Sequence, residues 1–562
     1  MSNPHVASKS GLIVAALLIA GLLVYLPPLR YGFVYDDVPQ IVKNPRIRSA
    51  RMLPTYFTQD VWAEANYSKQ LRSSYYRPGF LLWLFINFRL FGLHALWWHM
   101  STLVLHLSAT VLVYVLGLRL TDDECTAGFA GLVFALHPVH IEGVVWISGA
   151  TDPLLTICFA GAFLAYVAYQ ERRAKPWLGV SLILFATAML QKETAVIFPL
   201  VAVAYDWLFR RQKRAEIPFL ALTVVYLIMR RLTFGSLGRT LAPAPWATVV
   251  FTWPSLVWFY IRHLLWPMDL SLNYDLSYVT APGWRDFWLP LALLAILAAA
   301  LWRWSQSNRM VALWSIWTAL PLLPVLNLTV LPQGDFAHDR YLYLPSVGFA
   351  LLVASAIRAL PAGRGVQYAV IALIGSTYAY GLLDQSRYWA DDLTLYRRAE
   401  SIAPQNALVK NNLGEELFKE HRPAEAIPLL ERALDGNATS RTAFVLGLCR
   451  LELNDLTRAE SAFRLAIELQ NSDPYPHLGL GLVQFSQGKL LEAEADVRHA
   501  IELDPLNTQR QNYHFHLGRI LKAQGRLPEA IAEFRQELRV NPDLPQARTE
   551  LAATAALAAQ GH

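Results

Sequence analysis

The sequence has little charge and little cysteine for its length. Of 562 residues, 16% are charged and three are cysteines, whereas 54% are hydrophobic and the mean hydropathy is +0.29. Average soluble domains are about one-quarter charged, so the composition excludes a single soluble enzyme and also a disordered chain. Three widely separated cysteines exclude a disulfide-knit secreted domain and offer no metal-binding pair. No nucleic-acid partner is expected.

The charge that is present is unevenly distributed along the chain. Residues 1–383 carry 29 basic and 18 acidic side chains, a net charge of +11, and all 18 tryptophans lie at or before Trp389. From residue 384 onward there are 20 basic and 25 acidic side chains, a net charge of −5. This division predicts a multi-spanning membrane domain over residues 1–385 and a soluble helical domain over residues 386–562.

Thirteen apolar runs occupy the first part of the chain. The run at 11–28 approaches the roughly 20 residues that cross a bilayer, and we interpret it as a retained anchor. The short basic loops at 171–175 and 210–214 are assigned to the cytoplasm. With the runs near 78–92 and 248–266 in the interface, the pattern predicts about eleven crossings. The N-terminus then lies inside, and the C-terminal domain lies outside.

A repeat of about 34 residues occupies the last part of the chain. Its glycines recur at spacings of 33, 34 and 37 residues, and an alanine follows each of them twelve positions later. Small residues at such points let the two helices of a hairpin approach closely. The pattern resembles the tetratricopeptide repeat and predicts about four units with capping helices, an α-solenoid that binds a protein or peptide. The glycines are Gly414, Gly447, Gly481 and Gly518.

The predicted first outer loop, residues 29–95, carries two adjacent carboxylates, Asp36 and Asp37. Two carboxylates at a membrane surface need a compensating cation or proton when they are buried. One of them can serve as a general base, and the other can orient it or hold a metal. The residues do not distinguish the two roles. A divalent metal, Mg²⁺ or Mn²⁺, is one option at this pair, and a solvated turn is the structural alternative.

Further polar side chains flank apolar runs on the same predicted outer side. Ionisable groups at membrane depth usually line a functional cavity, and a planar guanidinium suits a lipid phosphate. The alternative for each is an interfacial side chain that takes no part in chemistry. The candidate substrate-binding residues are Arg77, His137, His140, Glu142, Asp152, Lys192, Glu193, Asp339, Arg340 and Tyr343.

Taken in order, these segments resemble one known family. They are F-V-Y-D-D from Phe33, Y-Y-R-P from Tyr75, L-H-P-V-H-I-E from Leu136, Q-K-E-T from Gln191, D-R-Y-L-Y-L-P from Asp339 and W-A-D-D-L-T-L-Y from Trp389. This order is similar to that of the transmembrane and tetratricopeptide-repeat-containing O-mannosyltransferases. The resemblance implies an all-α, polytopic GT-C-like membrane domain followed by repeats. It also implies a polyprenyl-phosphate-sugar donor and a catalytic base within Asp36–Asp37.

One segment departs from the family pattern. The family usually has Gly-Arg-x-Asp after the His-Pro segment, whereas this chain reads Gly149-Ala150-Thr151-Asp152 and lacks the arginine. The outer side is the periplasm if the source is bacterial, with the protein in the inner membrane. It is the lumen of the endoplasmic reticulum if the source is eukaryotic.

The function implied by the resemblance is inverting transfer of a sugar, mannose in the family, to a hydroxyl acceptor such as a protein serine or threonine. The lipid bilayer, the lipid-linked sugar and a protein or peptide bound by the repeats are the expected partners. Two alternatives remain open from the residues. One is a non-enzymatic membrane scaffold that recruits proteins through its repeats, and the other is a polymerase, ligase or flippase for lipid-linked glycans.

Overall fold

A computed structural model describes residues 4–63, 75–211, 214–234, 244–331, 334–505 and 512–560. Within these ranges every regular element is a helix, which confirms the all-α fold class. The chain divides into two compact units, Met1–Ile402 and Ala403–His562. The division falls after the boundary at 385/386 that the sequence predicts, because the helix beginning at Asp392 packs within the first unit.

The first unit is built of fifteen helices among the described residues, joined by short 3-10 and π turns. In chain order they are α1 Pro4–Val24, α2 Pro78–Phe91, α3 Ala95–Thr121, α4 Glu124–Leu136, α5 Ile141–Val144, α6 Thr151–Arg172, α7 Lys175–Gln191, α8 Phe198–Phe209, α9 Ile217–Phe234, α10 Trp246–Leu265, α11 Leu289–Ser305, α12 Arg309–Ala319, α13 Pro345–Arg358, α14 Arg364–Ser386 and α15 Asp392–Ile402.

Many of these helices are long and apolar enough to cross a bilayer. In the described ranges six helical segments meet the length and hydropathy expected of a span, and a seventh forms if the bent pair α4–α5 counts as one. Four shorter apolar helices accompany them, at Lys9–Val24, Pro78–Phe91, Lys175–Gln191 and Pro345–Arg358. The chain is therefore an integral membrane protein, while the number of about eleven crossings stays a prediction.

The outer faces of several helices are apolar and open, as lipid-facing surfaces are. Helix α11 has one buried residue, Pro290, and Ile296 and Trp302 on it are each 67% exposed. Leu232 on α9 is 81% exposed. Contiguous exposed apolar surface of this kind marks a membrane or partner contact, and helices satisfy their own backbone hydrogen bonds in lipid.

Proline shapes the part of the bundle that carries the candidate site. Helix α4 ends at Leu136, and His137 takes an extended conformation before Pro138, as the residue before a proline prefers. The helix axis bends by 53° at this break. The chain then continues through α5 and a 3-10 turn at Ile147–Ala150 into α6. The break thus holds residues 138–150 as a compact turn at one end of α4 and α6.

The second unit is a series of helical hairpins. Helix α24 Pro545–Gln560 packs on the last hairpin. The paired helices among the described residues are α16 Ala407–Lys419 with α17 Pro423–Gly436, α18 Ser440–Glu452 with α19 Leu456–Leu469, α20 Pro474–Ser486 with α21 Leu490–Leu503, and α22 Tyr513–Ala523 with α23 Leu527–Val540. These four pairs have the organisation expected of the repeats.

Glycine permits the close approach of helices in this unit. A Cβ at Gly447 would lie 2.6 Å from the ring of Phe463, and a Cβ at Gly479 would lie 2.5 Å from the same ring. Phe463 is fully buried and lies between the two glycines. The Phe463 ring therefore cannot move away from one glycine without approaching the other when either acquires a side chain.

We expect Gly447→Ala to destabilise the repeat unit by about 1–3 kcal/mol, because the added methyl overpacks a core that cannot relax. The measurement is the thermal unfolding of the repeat unit within the full chain, detected as proteolytic cleavage within residues 403–562 with rising temperature. The double variant Gly447→Ala/Phe463→Leu provides the control, since a smaller side chain restores space. Equal stability of Gly447→Ala and the unsubstituted chain would contradict the packing argument.

Candidate active site

The acidic pair lies in the turn after α1, and its two carboxylates have different surroundings. Asp37 is fully buried. One carboxylate oxygen accepts hydrogen bonds from the Ser148 amide at 2.8 Å and the Ser148 hydroxyl at 2.6 Å. The other accepts from the Val34 amide at 3.3 Å. Asp37 therefore fastens the turn to the 3-10 segment Ile147–Ala150 that precedes α6.

The Asp36 carboxylate is only partly buried and accepts no hydrogen bond from the described residues. Burial raises the pKa of Asp36 to about 7, although the charge of Arg340 acts to lower it. Burial also raises the pKa of Asp37 to about 7, against the lowering effect of its hydrogen bonds to Ser148 and Val34. Both pKa values suit proton transfer near neutral pH, so the open oxygens of Asp36 are what distinguishes it from Asp37.

Arg340 is the cation whose charge lowers the pKa of Asp36. Its guanidinium donates to Glu142 at 3.1 Å, and its backbone amide donates to the same oxygen at 3.3 Å. The guanidinium also lies 5.4 Å from the ring centroid of Trp146 and 5.6 Å from that of Tyr341, within the range of cation–π attraction. These contacts hold Arg340 in place while leaving its side chain 20% exposed.

Asp339 and its neighbours face a different set of groups. The Tyr274 hydroxyl donates to the Asp339 carboxylate at 2.5 Å, and burial raises the pKa of Asp339. His338 lies 3.2 Å from Asp335, which also accepts from the Asn273 amide at 3.1 Å. Asp339 is thus bound inside the protein, whereas the adjacent Arg340 is partly exposed and its charge acts on Asp36.

Two further ion pairs lie where α7 ends. Arg77 donates to both oxygens of Glu193, at 2.9 and 3.3 Å, and its guanidinium lies 4.6 Å from the ring centroid of Tyr75. The charges of Arg77 and Arg230 hold the pKa of Glu193 at about 2 against the opposing effect of burial. The candidate phosphate-binding arginine is therefore pre-oriented by a carboxylate that stays ionised.

The second of these ion pairs is almost completely buried. Lys192 adopts an extended backbone after α7 and donates to Asp152, in the first turn of α6, at 2.7 Å. Its ammonium also lies 5.3 Å from the ring centroid of Tyr341, next to Arg340. Lys192 and Asp152 therefore join the end of α7 and the start of α6 to the segment that carries Arg340.

Three candidate residues lie deeper in the bundle. His137, His140 and Tyr343 are all fully buried, and their partners are protein atoms. His137 lies 3.0 Å from the Leu264 carbonyl, His140 lies 2.8 Å from the Ser346 hydroxyl, and Tyr343 lies 2.8 Å from a ring nitrogen of His106. These contacts support the fold around the site, and a role for the three residues in substrate binding stays a prediction.

Three residues near the acidic pair were not among the candidates predicted from the sequence. Ser148, Trp146 and Asp392 contact the acidic turn or the cation beside it. No local signal identifies Ser148, because its partner Asp37 lies 111 positions away. Asp392 had a signal, since it belongs to the W-A-D-D-L-T-L-Y segment, but that segment carries no chemistry by itself.

The acidic pair does not present itself as a metal site. Hydrogen bonds from Ser148 and Val34 occupy both oxygens of Asp37, which leaves Asp36 alone with open oxygens. Within the part of the chain that the structure describes, no group of three or more His, Cys, Asp or Glu side chains has an arrangement suited to a metal ion. A single open carboxylate is a poor cation site, so a divalent metal at the acidic pair stays a prediction that these residues do not support.

The fold and site together define a class: a helical membrane protein with a carboxylate at one end of its bundle, flanked by paired cations, and with tetratricopeptide-type repeats after it. The family model described as dolichyl-phosphate-mannose-protein mannosyltransferase matches residues 77–232, and the tetratricopeptide repeat model matches residues 411–474. The first match includes Arg77, Glu142 and Lys192, whereas Asp36 and Arg340 lie outside it.

Individual relatives bear the same kind of name. Protein O-mannosyl-transferase F38B6.6 of Caenorhabditis elegans is 28% identical over 71% of this chain and 59% of its own. Protein O-mannosyl-transferase TMTC3 of Mus musculus is 25% identical over 86% and 59%, and TMTC1 of Homo sapiens is 26% identical over 74% and 54%. The resemblance to these transferases is thereby confirmed. The chain spans less than two thirds of the length of these relatives.

Solved structures similar to this chain include two of small coverage. MamA is 20% identical, with a TM-score of 0.25 over 30% of this chain and 94% of its own. PilW, titled a widely conserved type IV pilus biogenesis factor, is 21% identical, with a TM-score of 0.26 over 36% of this chain and 89% of its own.

We expect Lys192→Met to lower the free energy of unfolding by about 3–5 kcal/mol, because it leaves the Asp152 carboxylate buried without its partner. The double variant Lys192→Met/Asp152→Asn removes both charges, and we expect it to recover most of that loss. Thermal unfolding of the purified protein in detergent measures both. If the single and double variants unfold at the same temperature, the ion pair does not stabilise the fold in this way.

Proposed function

We propose that the protein is a membrane glycosyltransferase that moves a mannosyl group from a polyprenyl-phosphate carrier to a hydroxyl of a protein acceptor, with inversion at the anomeric carbon. The open carboxylate of Asp36 beside Arg340 is the observation that carries this proposal. The names of the relatives, protein O-mannosyl-transferases, support the choice of mannose and of a protein acceptor.

In this proposal Asp36 is the general base. The acceptor oxygen forms a bond to the anomeric carbon while the bond from that carbon to the phosphate oxygen breaks. The hydroxyl proton passes to the Asp36 carboxylate, and the electron pair of the broken bond leaves on the lipid phosphate. A base whose pKa is about 7 is ionised enough to accept the proton near neutral pH and basic enough to hold it.

Asp37 has a supporting task in the same turn. Its hydrogen bonds to Ser148 and Val34 fix the backbone on which Asp36 stands. A fixed base gives a higher rate than a mobile one, because the reacting atoms must meet within a narrow range of distance and direction. Asp37 therefore acts as a positioning residue, and the two members of the acidic pair have separate roles.

Arginines supply the proposed site for the lipid phosphate. Arg77 is held by one carboxylate and one aromatic ring, and Arg340 by one carboxylate and two rings, so their planar guanidinium groups are pre-organised. Cationic groups at the leaving phosphate stabilise the charge that develops as the glycosidic bond breaks. No general acid is needed, because a phosphate leaves as an anion.

An exposed apolar face of α9 supports a lipid-linked donor in particular. It consists of Val225, Ile228, Met229 and Leu232 together with Thr233. The hydroxyl of Tyr76, the residue before Arg77, lies 3.9 Å from the sulfur of Met229. This face is therefore near the proposed phosphate site, where the first prenyl units of a carrier would lie.

The charge distribution of the first unit supports an orientation for the enzyme. Helix α6 begins at Thr151 beside the site and ends at Arg172, and near that far end Glu171 pairs with Arg119 of α3. The basic residues Arg210 and Arg211 follow α8, and Arg211 lies 4.0 Å from Glu171. Basic loops favour the cytoplasmic side, so we place the site on the opposite side, in the periplasm or the lumen. The repeats bind the acceptor or a partner protein there.

We expect Asp36→Asn to reduce mannosyl transfer by about 10²–10⁴-fold, because the amide cannot accept the proton. Asp37→Asn keeps an oxygen that accepts from Ser148, so we expect a smaller loss. Transfer from polyprenyl-phosphate mannose to a peptide pool in proteoliposomes measures both. The control is Asp286→Asn, which changes an exposed carboxylate away from the acidic turn. Full transfer by Asp36→Asn would refute Asp36 as the base. No transfer by the unsubstituted protein would favour a scaffold, and transfer only from an oligosaccharide-lipid would favour a glycan ligase.

The phosphate site has its own test in the double variant Arg77→Gln/Glu193→Gln, which removes both charges without leaving either one unpaired. We expect the KM for the lipid-linked donor to rise at least about tenfold, as the loss of a charge-assisted contact requires, with the KM for the acceptor unchanged. The matched control is Arg119→Gln/Glu171→Gln, an ion pair at the far end of α6. An unchanged donor KM would place the phosphate elsewhere.

A further inference from the structure

The segment Trp389–Tyr396 lies between α14 and the repeats and takes no part in the proposed proton transfer or phosphate binding. It contains two adjacent aspartates with different partners. Asp391 accepts from the Thr394 amide at 2.8 Å and from the Thr394 hydroxyl at 2.9 Å, so it caps the start of α15. Asp392 reaches back across 357 positions of sequence to accept from the amide of Tyr35 at 2.6 Å.

Tyr35 is the residue immediately before Asp36, and its backbone is unusual. Its φ angle is +53°, in the left-handed region that residues with a large side chain rarely occupy. Such a conformation persists only where surrounding contacts enforce it. The short hydrogen bond from the Tyr35 amide to Asp392 is a contact of this kind, because it fixes the direction of that amide.

Aromatic contacts from the same segment reinforce the arrangement. The ring of Tyr396 meets that of Tyr35 edge-on, with centroids 6.4 Å apart. Trp389 stacks on Trp146 with centroids 6.1 Å apart, and Trp146 in turn contacts both Tyr35 and Arg340. The segment therefore holds the acidic turn by one charged hydrogen bond and by rings on two of its neighbours.

We infer that Asp392 is a positioning residue for sugar transfer, one that sets the direction of the Asp36 carboxylate through the Tyr35 amide. The inference rests on the proposed function, since it concerns the same base. Asp392 acts through the backbone of the residue before the base, and its charge acts on the base across space. A change of shape and a change of charge at position 392 therefore have separate consequences.

The charge of Asp392 also acts on Asp36 directly. Asp36 is influenced by Arg340, which lowers its pKa, and by Asp37, Asp335 and Asp392, which raise it. Neutralising Asp392 while keeping its accepting oxygen should therefore lower the pKa of Asp36. A substitution that removes the oxygen should instead loosen the turn.

The experiment compares three variants of the full chain in proteoliposomes, with transfer expressed per folded molecule. We expect Asp392→Ala to lower kcat by about 10–100-fold with little change in either KM, because a misplaced base costs rate rather than binding. Asp392→Asn should retain at least about half of the kcat, with the acidic limb of the pH–rate profile displaced to lower pH. Asp391→Ala should lower the unfolding temperature through loss of the helix cap while leaving kcat unchanged.

Each outcome decides for or against the positioning role of Asp392. If Asp392→Ala reduces only the amount of folded protein and not kcat, or if Asp392→Asn is as impaired as Asp392→Ala, the positioning role is wrong. If Asp391→Ala loses kcat to the same degree, the helix start matters rather than Asp392. Asp36→Asn, assayed alongside, separates the two failures. If Asp36→Asn remains active, the proposed base is wrong and the positioning role falls with it; if Asp36→Asn is inactive while Asp392→Ala keeps its kcat, the positioning role alone is wrong.

Discussion

The cost of removing charge from water governs the whole first unit. Around the site each cation is joined to a carboxylate: Arg77 to Glu193, Lys192 to Asp152 and Arg340 to Glu142. A charge buried beside the hydrocarbon layer without such a partner would cost several kcal/mol. These pairs come from segments far apart in sequence, so satisfying them also fixes how α2, α6, α7 and the 339–342 turn meet. The ion pairs are thus both the consequence of burial and the means of assembly.

Within this arrangement the two members of the acidic pair differ. Asp37 is satisfied by Ser148 and Val34, while the Asp36 carboxylate accepts no hydrogen bond from the described residues and is influenced by the charge of Arg340. Carboxylates with a raised pKa are frequent where proton transfer needs them. In the proposed mechanism the surrounding ion pairs hold the site in place, and the Asp36 carboxylate stays available for a proton.

Much of this organisation could be predicted from the sequence. Composition and periodicity identify a helical membrane part and a helical repeat part, because hydropathy and small-residue spacing act locally. The order of motifs points to Arg77, Lys192, Glu142 and Arg340, and the structure brings these to one end of the bundle. What the sequence could not distinguish was Asp36 from Asp37, since the difference depends on Ser148, 111 positions away. Nor could it show that His137, His140 and Tyr343 pack against one another in the interior, because a buried and a cavity-lining histidine have the same local pattern.

The hydrogen bond between Asp392 and Tyr35 joins two residues that leave the ribosome far apart in time. At about 5–20 residues per second, the turn that carries the acidic pair would wait roughly 20–70 s before its last partner is synthesised. During this interval helices α2 to α14 are synthesised, and the turn has no Asp392 to hold its strained residue. The contact that fixes the turn is therefore added by nearly the last segment of the unit to be made, so a chain that stops short of Asp392 lacks the hydrogen bond that orients the Tyr35 amide.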